Sequence, residues 1–243
     1  MEKNISNEKL LYLGQGKEIY VNHNHIFGTD AVLLSYFCAP KKHDIALDIG
    51  TGCGIIPFLW LTNNENLDVT GVEIQEEAYL LAQKTKSKNN FNIKLYNKDI
   101  KDYESYLKKG SFTLISCNPP YFALNDGIKA PKEHRVMQRH EVALNIEDLA
   151  FCAKKLLNFG GRLCICIRPE RLFEVGDTFK KHGFNIKRVR FVCKDRFSLA
   201  KLVLIEAKLG AKFGTIVEPP LLMYENGEET EEIKEIYKNI RDR

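Results

Sequence analysis

The segment Ile45-Ala46-Leu47-Asp48-Ile49-Gly50-Thr51-Gly52-Cys53-Gly54, followed by the apolar stretch Ile55 to Leu61, restricts the fold more than any other part of the chain. A short apolar run, a glycine-rich turn and a second apolar run read as strand, tight turn and helix. Such glycines leave bare main chain for a ligand, which places the turn at the carboxyl edge of a parallel sheet. The next apolar strand, Val69-Thr70-Gly71-Val72, ends in Glu73, about twenty residues beyond the glycines, where an acid can take both hydroxyls of a ribose. Spacing then separates the cofactors. A dinucleotide fingerprint requires its third glycine at position 55, but Ile55 stands there and the glycine is at 54. Asp48 would repel a pyrophosphate, whereas it suits the ammonium of an amino-acid moiety. The expected cofactor is S-adenosylmethionine, held by Asp48, Gly50, Thr51, Gly52, Gly54, Glu73 and its neighbour Ile74. Asp99, after the strand Ile93-Lys94-Leu95-Tyr96, is placed to accept from an adenine amino group; a helix cap is its structural alternative.

The tetrapeptide Asn118-Pro119-Pro120-Tyr121 ends the apolar run Phe112 to Cys117. A planar amine is a poor nucleophile because its lone pair is delocalised, so it needs acceptors that draw its hydrogens out of plane. The Asn118 side-chain carbonyl and the adjoining main-chain carbonyl can supply two. Pro119 and Pro120 fix the backbone at that point, and Tyr121 offers a ring for stacking. These four are the expected catalytic residues, with Asn118 also facing the cofactor. Alone, the tetrapeptide could be a turn after a buried strand.

Strands and helices alternate from residue 45 to about 182, with turns at Asn89-Asn90 and Gly160-Gly161, which implies an α/β fold with a parallel sheet between helices. Ile186 to Cys193 and Leu199 to Ala207 follow as an antiparallel edge pair. Residues 1–40 are too few for a core of their own and are expected to be an extension packed on the sheet, with residues 41–243 as the main domain. No apolar run approaches the ~20 residues of a membrane span and the start is polar, so a cytoplasmic protein is expected. Seven cysteines without a Cys-x-x-Cys pair argue for neither disulfides nor a metal site. Cys164 and Cys166 should share one sheet face as buried thiols.

A net charge of +4 does not by itself require a nucleic-acid partner, but the basic residues are unevenly placed. Lys187, Arg188, Arg190, Lys194 and Arg196 fall in one stretch, and Lys129, Lys132, Arg135 and Arg139 follow the Asn118 motif in a long connection. Both groups are candidate phosphate contacts, the bland alternative for the first being a solvated edge strand.

Taken together, Asp48 to Gly54, Glu73, Asp99 and Asn118-Pro119-Pro120-Tyr121 resemble the successive motifs of class I methyltransferases acting on amino nitrogens. With Phe27-Gly28-Thr29-Asp30-Ala31-Val32-Leu33-Leu34, the chain more narrowly resembles the bacterial tRNA(Val) adenine-37 N6-methyltransferase family. The resemblance implies a Rossmann-like seven-stranded sheet, S-adenosylmethionine as cofactor, tRNA as partner, and Thr29 and Asp30 as contacts to the methionine end. Alternatives are glutamine-N5 methylation of a release factor or ribosomal protein, guanine-N2 methylation of rRNA, and a non-catalytic RNA-binding module. The first of these is disfavoured because the segment before the cofactor turn is too short for a helical substrate domain.

Overall fold

The computed structural model describes residues 7–119 and 144–241. A hairpin of β1 (Lys9–Gly14) and β2 (Lys17–Val21) leads into α1 (Thr29–Cys38). Then come β3 (Ile45–Ile49), α2 (Ile55–Asn63), β4 (Asp68–Glu73), α3 (Glu76–Asn89), β5 (Ile93–Asn97), a 3-10 segment (Ile100–Ser105) and β6 (Phe112–Cys117). After the undescribed residues follow α4 (Ile146–Leu156), β7 (Leu157–Ile167), α5 (Leu172–Lys181), β8 (Phe184–Cys193) and β9 (Ala200–Leu209). Four two-residue strands, β10 (Ile216–Val217), β11 (Leu221–Leu222), β12 (Tyr224–Glu225) and β13 (Glu228–Glu229), precede α6 (Glu231–Arg241).

The seven long strands lie in the order β8-β9-β7-β6-β3-β4-β5. From β7 to β5 the pairs are parallel, and β9 runs antiparallel to both its neighbours. This is the sheet that the sequence implies, with β10 and β11 added in parallel along the outer edge of β8 to make nine. Two-residue strands are too short to leave a period in the sequence. A second difference lies at Gly160-Gly161, expected as a turn but placed inside β7. There the partner on β7 jumps from Leu157 to Arg162 as β6 passes from Phe112 to Leu114, and Gly160 takes φ 79°, so the pair forms a bulge.

Alternation along β7 divides the core. Leu163, Ile165 and Ile167 pack with the α4 and α5 layer, while Cys164 and Cys166 face α1 and α2, all fully or almost fully buried. The helix α2 is apolar all round because other elements cover it on every side, and all but its last residue are buried. The β1–β2 hairpin adds Leu13, Ile19 and Val21 to the same layer. It is tied to α3 through Asn89, whose amide accepts from Glu18 N (3.0 Å) and donates to Glu18 O (2.7 Å), and through Tyr20 N, which donates to Thr85 Oγ1 (2.9 Å). Among the described residues no helix is long and apolar enough to cross a membrane, and no cluster of His, Cys, Asp and Glu could hold a metal ion.

Buried Arg162 joins three elements. Its guanidinium donates to Cys38 O at the end of α1 (2.9 Å), to Asp44 Oδ2 just before β3 (2.7 Å) and to Glu206 Oε2 on β9 (3.3 Å). Burial opposes ionisation of Asp44, yet the Thr113 hydroxyl, the Lys41 N–H and Arg162 together hold its carboxyl below the usual range. Removing Arg162 takes the cation from largely buried Asp44 while Glu206 keeps Arg188 and Lys208, so Arg162→Ala should lower unfolding free energy by about 3 kcal/mol in denaturant titration. Joint replacement of Asp44, Arg162 and Glu206 by apolar residues of similar volume should cost much less.

Candidate active site

The turn between β3 and α2 is held by the neighbouring strand. Gly50 N and Thr51 N both donate to Val72 O at 2.9 and 3.1 Å. Gly50, Gly52 and Gly54 take φ 69°, 58° and 94°, in the left-handed region where side chains are strained. A Cβ added at Gly50 or Gly52 would meet nothing within 4 Å, so these two present open main chain. At Gly54 a Cβ would meet the Phe58 ring at 2.2 Å, and the need there is packing.

Glu73 is largely buried at the end of β4, and its carboxylate accepts from Gly52 N (2.7 Å) and Gln75 N (2.8 Å). Asn97 fixes the same corner by donating to the carbonyls of Glu73 and Ile74 at 2.8 and 3.0 Å. The two N–H bonds aim the carboxylate along the edge of the sheet.

Asp48 is 1% exposed, one residue inside the glycine turn. The Ser116 hydroxyl donates to its Oδ1 at 2.5 Å, while Oδ2 and the Thr51 hydroxyl are buried without a hydrogen bond. Burial pushes the carboxyl up to about 7; the Ser116 hydroxyl works against that rise and the Glu73 charge adds to it. An unpaired buried acceptor beside bare main chain fits a cationic group such as the ammonium of an amino acid.

Farther along the edge, Ile49, Gly50, Val72, Ile74, Asp99, Ile100 and Leu144 line a hollow. Ile74 is half exposed there, which leaves an apolar face open for a planar ring. Asp99 caps the 3-10 segment: its Oδ1 accepts from Lys101 N at 2.9 Å and its Oδ2 lies 3.5 Å from Lys101 Nζ. Capping and lining the hollow are thus combined in one residue. Ile100 and Leu144 were not singled out in the sequence. An apolar residue directly after the acid was the available signal for Ile100, and Leu144 offered none, since only the fold brings it there.

Asn118 and Pro119 leave β6 at the same edge. Because Ile49 is paired with Cys117 and with Val72, Asn118, Gly50 and Glu73 stand next to one another on three adjacent strands. Pro120 and Tyr121 lie outside the described residues, as do Lys129, Lys132, Arg135 and Arg139. Thr29 and Asp30 form the first turn of α1, which Gly28 caps without a side-chain bond. The structure gives them no bond to the glycine turn.

The arginines considered as phosphate contacts are largely engaged within the chain. Arg188 pairs with Glu206 and Glu218 at 3.4 Å each and lies over the Phe37 ring. Arg190 grips the Glu232 carboxylate with two bonds of 2.6 and 2.7 Å, and Arg196 binds Glu225 at 2.6 Å. The Lys187 ammonium donates to Lys212 O at 3.2 Å, while Lys194 is exposed. The sequence shows the cations; their partners lie about thirty to forty residues downstream at Glu218, Glu225 and Glu232, and only folding brings them together.

A mostly parallel sheet with this strand order, carrying a glycine turn, a ribose-type acid and an Asn-Pro corner on its carboxyl edge, is the class I S-adenosylmethionine-dependent methyltransferase architecture. The chain belongs to the methyltransferase small domain family, whose model matches residues 19–182. It is 30% identical over 183 residues to the tRNA1(Val) (adenine(37)-N6)-methyltransferase of Parabacteroides distasonis, 74% of this chain and 75% of that one. A protein of the same name from Pedobacter heparinus is 31% identical over 169 residues, 69% and 70% of the two chains. Among solved structures, an Agrobacterium tumefaciens protein described as a predicted O-methyltransferase aligns with TM-score 0.71 and 21% identity, covering 87% of this chain and 96% of that one. The 16S rRNA N2 G1207 methyltransferase of T. thermophilus, solved with AdoMet and guanosine, aligns with TM-score 0.59 and 17% identity, covering 84% and 51%.

Two predictions follow from the acids. With its folded pKa raised to about 7, Asp48 binds more protons in the folded state than in the unfolded one between roughly pH 4 and 7. Stability of the ligand-free protein should therefore fall as pH rises through that window, and Asp48→Asn should remove this part of the slope in melts. A bound ammonium favours the ionised form, so S-adenosylmethionine affinity should rise with pH toward about 7 in the native protein and stay flat in Asp48→Asn. Glu73→Ala should weaken S-adenosylmethionine binding by about 1.5–3 kcal/mol in calorimetric titration, and it should also lower Tm by freeing Gly52 N and Gln75 N.

Proposed function

We propose that this chain transfers a methyl group from S-adenosylmethionine to the N6 amine of an adenine in tRNA, namely adenosine 37 of tRNA(Val). The observation that carries the reading is the order of groups along one sheet edge: Asn118 on β6, Asp48 and Gly50 on β3, Glu73 on β4 and Asp99 after β5. At about 4.8 Å per strand this row is as long as a nucleoside with an amino-acid arm. In this arrangement Asp48 receives the ammonium, the open main chain at Gly50 and Gly52 the methionine arm, Glu73 the ribose hydroxyls, and the hollow at Ile74, Asp99 and Ile100 the adenine. Such residues fit S-adenosylmethionine, which supplies an electrophilic methyl group when bound. The methionine end is thereby beside Asn118.

The acceptor chemistry belongs to Asn118 and Pro119. Their carbonyl oxygens accept the two amine hydrogens and turn the nitrogen lone pair toward the methyl group. Positive charge developing on that nitrogen is stabilised by the same dipoles, and the proton leaves to water after transfer. Tyr121 stacks on the extruded base, and Thr29 and Asp30 contact the methionine end. The relatives' printed names favour adenine in tRNA(Val) over a protein glutamine or a ribosomal guanine.

Incubation with labelled S-adenosylmethionine and unmodified tRNA(Val), other tRNAs, rRNA and a release factor should place label in N6-methyladenosine of tRNA(Val). Label confined to the protein or to guanine would overturn the substrate. Asn118→Ala should keep cofactor affinity while turnover falls about a hundredfold or more. Equal loss of both would make Asn118 a structural residue.

A further inference from the structure

The tip of the β8–β9 hairpin is poorly accounted for by packing. Phe197 and Leu199 are 91% and 90% exposed, the two most exposed large apolar side chains among the described residues. The turn around them is nevertheless ordered by its own bonds. Asp195 accepts from Phe197 N (3.0 Å) and from the Ser198 hydroxyl (2.8 Å), and Ser198 N donates to Asp195 O (3.2 Å). A turn closed in this way presents Phe197 to solvent at little further cost in ordering.

Its place in the sheet is the second observation. Strand β7 is parallel to β6 and ends at Ile167, which pairs with Val203, so residues 200–202 of β9 overshoot the end of β7. At about 3.3 Å per residue the hairpin rises ~10 Å above the edge from which Asn118 projects, two to three strand spacings to the side. Three cations surround it: Lys194 in the turn, Lys201 at the start of β9, and Arg168, which donates to Lys201 O at 3.4 Å. All three are exposed, and none has a carboxylate within ion-pair distance among the described residues. Of the acids nearby, Glu225 is engaged by Arg196 and Asp195 within the turn, while Glu170, two residues beyond Arg168, is exposed.

We propose that this hairpin tip is an RNA-docking finger. Phe197 stacks on an unpaired base next to the one being modified, Leu199 covers its edge, and Lys194, Lys201 and Arg168 take the flanking phosphates. An exposed aromatic ring between cations fits single-stranded RNA, whose bases have free faces and whose backbone is anionic. The finger rests on the RNA reading of the active site and extends it to substrate recognition.

Binding of a fluorescein-labelled anticodon stem-loop of tRNA(Val) by anisotropy tests the finger without requiring methyl transfer. Phe197→Ala should weaken stem-loop binding about tenfold or more while leaving Tm and S-adenosylmethionine affinity unchanged, and Phe197→Trp should restore it. Lys194→Ala with Lys201→Ala should reduce the slope of log affinity against log salt by about 1.4, two single-strand phosphate contacts. Unchanged RNA affinity in both variants overturns the finger, even if the protein methylates tRNA normally. Stem-loop binding that depends on Phe197 supports the finger even where no adenine is methylated, in which case the proposed reaction alone fails. Wild-type protein that binds no RNA and modifies a release factor overturns both.

Discussion

Hydrogen bonds between the glycine turn and the end of β4 are the constraint on which the site depends. A turn with three residues in the left-handed region has no ladder to join, so its N–H groups need acceptors from elsewhere. Val72 O takes two of them and the Glu73 carboxylate takes the one from Gly52. This arrangement keeps the main chain of Gly50 and Gly52 open and fixes the carboxylate next to it. Asn97, from the next strand, locks the backbone that carries Glu73. Three strands thus hold a site whose chemistry requires groups in a row.

That row is formed because parallel strands end on one side. Each strand carries its functional group at or just after its last residue, and parallel pairing brings the groups into register. Asp48 differs in that it lies one residue inside the edge, where burial raises its pKa and one oxygen has no partner. A buried acceptor of this kind costs stability in the ligand-free protein and favours a cationic ligand.

Charge is distributed by the same logic of partners. Much of the basic character between residues 187 and 196 is used to bind α6 and the last strands to the sheet edge, since Arg188, Arg190 and Arg196 each face a glutamate from residues 206–232. Within that stretch Lys194, at the tip of the hairpin where the backbone extends past its neighbours, has no carboxylate within ion-pair distance among the described residues.

The strand–turn–helix at 45–61, the acid at 73 and the Asn118 corner were legible in the sequence because each combines a local backbone need with a chemical one. Periodicity likewise placed Cys164 and Cys166 on one face, and the antiparallel pair β8–β9 could be read from two apolar runs with no helix between them. Tertiary structure decided the rest, since long-range pairing is not local. The bulge at Gly160-Gly161 exists because β6 pairs across it, the small strands β10 and β11 exist because β8 offers an edge, and Leu144 joins the hollow only through the path of the chain. The same holds for the arginines, whose positive charge is fixed by sequence while its availability is fixed by which carboxylates folding brings within 4 Å. Sequence by itself determined the fold class and which chemical groups the strand ends carry, because those follow from backbone preference and side-chain chemistry; the three-dimensional fold decided which groups stand side by side and which are taken up by partners within the chain.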